Sequence, residues 1–104
     1  MRYRPLGSSQ LNISVITFGA WQLGDPEYWD ADAESDAEAT VRCALEAGIN
    51  LFDTAEMYGD GESERILGKA LGVHRDEVLI ATKVMPQNCA PEKLRASCEA
   101  SLQR

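Results

Sequence analysis

The chain reads as an α/β protein: a short hairpin followed by three strand–helix units whose strands run parallel. Three observations predict this. Short β-branched runs alternate with stretches of helical apolar spacing. Each helical stretch carries its own start or stop residue. The length, 104 residues, suits one small domain.

Tyr3 to Ile13 is predicted as the hairpin, with Gly7-Ser8-Ser9-Gln10 as its turn. Ile13-Ser14-Val15-Ile16-Thr17-Phe18 is rich in β-branched residues, ends at Gly19 and reads as the first parallel strand. Ser35 with Glu38 fits a capping box, after which Ala37, Val41, Ala44 and Leu45 recur at helical spacing. Gly48 supplies the stop. Ile49 to Thr54 is the second strand, and Glu62 to Leu71 the second helix, with Ile66, Leu67, Ala70 and Leu71 on one face and Gly72 after it. Val78 to Val84 is the third strand. Pro91 suits the first position of a third helix carried by Leu94, Cys98, Ser101 and Leu102, while Ala90 is a poor cap that lets its start fray. That helical pattern reaches Arg104 without a stop signal, so the sequence reads as interrupted.

Composition excludes several function classes. The chain is 44% hydrophobic and carries a net charge of −7, from 10 basic and 17 acidic residues. No apolar run approaches the ~20 residues of a membrane span, and no basic-then-apolar leader opens the chain. An acidic balance disfavours nucleic acid and anionic membranes as partners. The charge is local: Asp25, Glu27, Asp30, Asp32, Glu34, Asp36 and Glu38 fall in one segment without a base. That segment, with Tyr28 and Trp29, is expected as a solvated loop running into a helix start. Cys43, Cys89 and Cys98 are odd in number, lack C-x-x-C spacing and lie far from the single histidine, His74. They are read as reduced thiols of a cytoplasmic protein, with neither a disulfide framework nor a metal site expected.

In parallel α/β folds the reactive groups gather at the carboxyl ends of the strands. The three strands end in Gly19-Ala20-Trp21-Gln22, in Asp53 with Tyr58 shortly after it, and in Lys83. A free tyrosine, with a pKa of about 10, is a weak acid at neutral pH. A neighbouring ammonium favours the phenolate, and a carboxylate beside the lysine holds the ammonium in place. Asp53, Tyr58 and Lys83 therefore have the makings of a general acid suited to protonating an alkoxide as a carbonyl is reduced. An ordinary surface Lys–Asp pair beside a loop tyrosine fits the same spacing. Gly59-Asp60-Gly61 reads as a turn into the second helix, not a phosphate cradle.

The sequence closely resembles the aldo-keto reductase family. The resemblance is carried by Tyr3-Arg4-Pro5-Leu6-Gly7, Phe18-Gly19-Ala20-Trp21-Gln22-Leu23-Gly24, the run from Glu46 to Gly59 that contains Asp53-Thr54-Ala55-Glu56-Met57-Tyr58-Gly59, Gly61 to Gly68, and Ile80-Ala81-Thr82-Lys83. It implies the N-terminal part of a (β/α)8 TIM barrel, with residues 1–104 as a partial barrel domain cut before the fourth strand. A complete barrel takes ~250 residues. It also implies an NADPH-dependent reductase of aldehydes and ketones. Tyr58 matches the family's proton donor, Lys83 the lysine that tunes it and Asp53 the aspartate bridging to that lysine. Gly19, Ala20, Trp21 and Asp53 match the nicotinamide side of the cofactor site, and Trp21 and Tyr58 the substrate pocket. The family's catalytic histidine and the segment that holds the cofactor phosphate have no match within the chain, and His74 lies at the wrong end of the barrel to substitute. Gln10 departs from a common turn glycine, which bears only on the hairpin.

The sequence by itself is thus expected to be a weakly stable, self-associating piece without reductase activity. Two alternatives share these motifs: a non-enzymatic cofactor-binding subunit resembling potassium-channel β-subunits, and a partial barrel completed by other chains.

Overall fold

A computed structural model describes residues 1–24 and 33–104, with side chains of the first helix described from Asp36 onward. Strands β1 (Tyr3–Pro5) and β2 (Asn12–Ser14) form an antiparallel hairpin in the register Tyr3↔Ser14. Its turn closes by hydrogen bonds from Leu6 N to Leu11 O (2.9 Å) and Ser9 N to Leu6 O (3.1 Å). A separate parallel sheet has the order β3 (Phe18–Gly19), β4 (Leu51–Asp53), β5 (Leu79–Ala81). Helices α1 (Ala33–Glu46), α2 (Glu62–Leu71) and α3 (Pro91–Gln103) follow the three parallel strands in turn. The expected hairpin and three parallel strand–helix units are present. None of the described helices is long and apolar enough to cross a membrane.

Several boundaries differ from the sequence reading, among them the second strand, which is Leu51–Asp53 and not Ile49–Thr54. The predicted strand Ile13–Phe18 is split in two, because Ser14 ends the hairpin and the parallel sheet starts only at Phe18. The Ser14 hydroxyl donates to Ile16 O (2.7 Å) and fixes a bend there, leaving Val15 and Ile16 exposed. The strand predicted to reach Val84 stops at Ala81. Helix α1 already begins at Ala33, so Ser35 lies inside it and is not its cap. The acidic segment, with Tyr28 and Trp29, lies mostly outside the described residues.

The core is a layer between the sheet and the first two helices. Phe52 is fully buried at the centre of β4, beside Phe18 on β3 with ring centroids 5.3 Å apart. Val41 and Ala44 from α1, and Ile66, Leu67 and Leu71 from α2, close over it with Ala20, Leu23 and Val78. These are the helical positions that apolar spacing marked, and their burial supplies the main driving force for folding. Helix α3 contributes no buried residue. At the N-terminal end of β4, Asn50 ties the hairpin to the sheet by accepting from Ser14 N (2.7 Å) and donating to Asn12 O (2.9 Å). Gly48 turns the chain out of α1 in the left-handed region, with φ 82°.

Candidate active site

The parallel register sets Gly19 beside Asp53, and Asp53 beside Ala81, so three strands end together. The ladder continues past the strands: Ala20 N donates to Asp53 O (2.9 Å), Thr54 N to Ala81 O (2.8 Å) and Glu56 N to Lys83 O (3.1 Å). These bonds hold Lys83 two residues past the level of Asp53, from where its side chain reaches back. Its Nζ donates to Asp53 Oδ1 and to Thr54 O, each at 2.7 Å. Both side chains are close to half exposed, at 49% and 43%. An ion pair in that setting is worth less than ~1 kcal/mol, so its value here is placement.

Electrostatics around Lys83 favour its charged form. Partial desolvation works against the ammonium. The hydrogen bond and charge of Asp53, with a smaller contribution from Tyr58, more than offset it and hold the lysine above its ordinary value. Nζ stands 5.2 Å from the centre of the Tyr58 ring, within cation–π range. The ring also lies beside Trp21, with centroids 6.1 Å apart and planes at 35°.

Two loops make that contact possible by approaching closer than side chains allow. Trp21 to Leu23 is a single 3-10 turn after β3, capped by Gly24. A Cβ at Gly24 would sit 2.3 Å from the backbone nitrogen of Ser63. Gly59, at φ 59°, presses against Gly24, where a Cβ would meet its carbonyl oxygen at 1.7 Å. Tyr58 is held in the same turn, its N–H donating to Ala55 O (3.1 Å) while its carbonyl accepts from Ser63 N (3.2 Å).

Asp53, Tyr58, Lys83 and Trp21 are thus brought to one place, with Gly19 and Ala20 on the adjoining strand end. His74 stands on the turn Gly72–Glu77 before β5, paired through Nδ1 with Glu77 at 3.1 Å. It is therefore at the opposite end of that strand from Lys83.

Sequence reasoning missed the buried polar groups beneath these residues. The hydroxyl of Ser63, fully buried at the start of α2, donates to Ala20 O (2.6 Å) and lies 3.0 Å from the Thr54 hydroxyl. Glu64, also buried, takes a hydrogen bond from the Thr82 hydroxyl and pairs with Arg104 at 2.6 Å. Glu56 is buried after β4, where its Oε1 accepts from Met85 N (2.6 Å) and Asn88 Nδ2 (2.9 Å). Those two bonds hold its carboxyl below the usual glutamate range. Desolvation opposes them, and Ser97 and the Arg104 charge add to them. One signal was available: Phe52, Thr54 and Glu56 share the two-residue alternation of a strand that continues past its apolar part.

Residues 15–104 match the Aldo/keto reductase family. The chain is 37% identical over 97 residues to the methylglyoxal reductase YeaE of Escherichia coli, a match covering 93% of this chain and 33% of that protein. It is 36% identical over 87 residues to a probable voltage-gated potassium channel subunit beta of Arabidopsis thaliana, covering 81% of this chain and 25% of that one. Among solved structures, an aldo-keto reductase from Klebsiella pneumoniae in complex with NADPH superposes with a TM-score of 0.79 at 32% identity, over 90% of this chain and 32% of that one. The chain spans a quarter to a third of the length of these relatives. With its strand–helix order, parallel register and strand-end residues, it belongs to the aldo/keto reductase family and folds as part of that family's (β/α)8 barrel.

Proposed function

We propose that these residues form the acid half of an NADPH-dependent carbonyl reductase acting on small aldehydes or ketones in the cytoplasm, with no nucleic-acid or membrane partner. The observation that carries the reading is the Lys83 ammonium set 2.7 Å from Asp53 and 5.2 Å from the Tyr58 ring centre, at the open end of three parallel strands.

In this reading Tyr58 gives its phenolic proton to the carbonyl oxygen as negative charge develops there. Lys83 stabilises the phenolate left behind, and Asp53 keeps Lys83 charged and in place. General acid catalysis of this kind contributes about 10²–10⁴ in rate. Trp21 and Tyr58 wall the substrate side with two aromatic faces.

Residues Gly19, Ala20, Trp21 and Asp53 fit the nicotinamide side of the cofactor. Gly19 opens to free space, a Cβ there meeting nothing within 4 Å, and the exposed Trp21 offers a flat surface beside it. NADPH held there would supply the hydride for the carbonyl carbon. The domain of residues 1–104 alone is proposed to be a partial barrel, inactive and prone to self-association. Within residues 1–104 the resemblance includes neither the family's catalytic histidine nor its cofactor-phosphate segment, and among the described residues β3 and β5 are the outer strands of the parallel sheet.

The match to a potassium-channel β-subunit favours a second reading, a cofactor-binding regulatory subunit, over an unrelated binding role. A chimera separates the two. Residues 1–104 replace the matching third of the Escherichia coli methylglyoxal reductase, and NADPH oxidation is followed with a reactive aldehyde such as a nitrobenzaldehyde. The enzyme reading expects turnover by the chimera and none by residues 1–104 alone. A folded chimera that binds NADPH without turnover supports the regulatory reading instead.

A further inference from the structure

Past β4 and β5 the parallel ladder runs on through two rungs, Thr54 N to Ala81 O and Glu56 N to Lys83 O. The next rung of such a ladder would carry Met85 N to the backbone carbonyl of Glu56. Met85 N meets the Glu56 carboxylate instead, at 2.6 Å, and the same oxygen accepts from Asn88 at 2.9 Å. Glu56 therefore grips the strand end twice, with its backbone at Lys83 and its side chain at Met85. The chain turns at once into the 3-10 turn Pro86–Asn88, its line set by that side chain. A carboxylate is a costly group to bury for filling space alone, and this one is only 7% exposed.

We propose that Glu56 is a positioning residue for Lys83: its carboxylate latches the chain just past the lysine and so fixes the ammonium beside Asp53 and Tyr58. The inference rests on the reading of that trio given above. Glu56 itself touches none of the three through its side chain.

The test uses the chimera described above, in which the barrel is complete, and the lysines of its 1–104 part, Lys69, Lys83 and Lys93. Competitive acetylation with trace acetic anhydride at pH 8, read by peptide mass spectrometry, gives the reactivity of Lys83 relative to Lys69 in the last turn of α2. Freeing the latch lets the ammonium leave Asp53, so Glu56→Ala raises that ratio by about threefold or more, equivalent to ~0.65 kcal/mol. Asn88→Ala, which removes one donor and leaves the carboxylate, raises it in the same direction and serves if Glu56→Ala does not fold. Glu56→Gln keeps an oxygen able to accept both N–H groups and stays near the parent ratio. An unchanged ratio in Glu56→Ala and Asn88→Ala, with a raised ratio in Asp53→Asn, overturns the latch and leaves the trio standing. An unchanged ratio in Asp53→Asn as well overturns both.

Discussion

Replacing Tyr58 by Phe removes one oxygen and leaves nearly every contact of the ring. The aromatic face stays against Trp21, 6.1 Å away, and the Lys83 ammonium still has a ring beneath it at 5.2 Å. The backbone of residue 58 is pinned by Ala55 and Ser63 whatever its side chain. Substrate and cofactor binding should therefore change little, while the proton source disappears. Loss of a general acid costs about 10²–10⁴ in rate, or roughly 2.7–5.4 kcal/mol of transition-state stabilisation. Steady-state NADPH oxidation by the chimera should show kcat falling by that factor with KM within about threefold, the pattern of an interaction made in the transition state. A Tyr58→Phe chimera retaining more than about a tenth of the parent kcat refutes the acid role, because water at an open strand end would then be protonating the alkoxide almost as well.

Lys83→Met keeps the length of the chain and deletes the charge, so carbonyl reduction near neutral pH should fall by a further measure of about 10² or more in the same assay, with the circular dichroism spectrum of the chimera unchanged. Gly24→Ala should destabilise the 104-residue chain by about 1–3 kcal/mol, since the new methyl meets the Ser63 backbone at 2.3 Å and only a backbone shift relieves it; urea melts measure the loss. The two shifted groups set opposite ends of the stability profile. Glu56 is held low, so its contribution is complete above the ordinary glutamate value of about 4.3 and drains away as pH falls through its depressed folded value. Lys83 is held high, so its contribution is complete below the ordinary lysine value of about 10.4 and is lost as pH rises through its elevated one. Denaturant midpoints should fall with acid in the parent but less so in Glu56→Gln. Size-exclusion chromatography with light scattering on the 104-residue chain should show species larger than a monomer, as the outer strands β3 and β5, unpaired among the described residues, and the exposed Val15 and Ile16 invite; a sharp monomer peak counts against self-association.

Asp53 and Lys83 were legible because strand-end position is a property of the pattern itself: an apolar β run that closes on a charged residue delivers that residue to the rim. Phe52 and the α2 stripe of Ile66, Leu67 and Leu71 were legible for the same periodic reason. Val15 and Ile16 misled it. Both are β-branched and apolar, yet they belong to a bend where the chain leaves one sheet for another, and the Ser14 hydroxyl that fixes the bend is read by local alternation as a strand residue. Ser63 and Glu56 were illegible for a different reason. A polar residue near a helix start or in a loop is solvated by default. Both are buried here because two segments distant in sequence, around Gly24 and around Met85, close over them. The geometry that buries them is tertiary, and no local spacing encodes it.

The polar groups beneath the site have an arrangement that bears on how the proposed acid is held. Asp53 reaches both neighbouring strand ends, accepting from Ala20 through its backbone and from Lys83 through its side chain. Thr54 repeats the pattern one residue later, its carbonyl accepting from Lys83 and its hydroxyl meeting Ser63, which in turn holds Ala20. Glu56 adds two bonds on the β5 side alone, with Lys83 and Met85. Central strand β4 therefore continues past its last apolar residue as a polar spine that positions both flanking strand ends. Trp21 follows Ala20 directly and Lys83 is itself gripped, so both neighbours of the Tyr58 ring are set by one stretch of chain. An ammonium on a flexible four-carbon stem, half exposed to water, has little reason to stay over a ring by cation–π attraction alone, worth about 0.5–1 kcal/mol at exposed sites. Oxygen acceptors on two successive residues of a strand anchored by the buried Phe52 give it a fixed post, and the conformational cost of that ordering falls on folding.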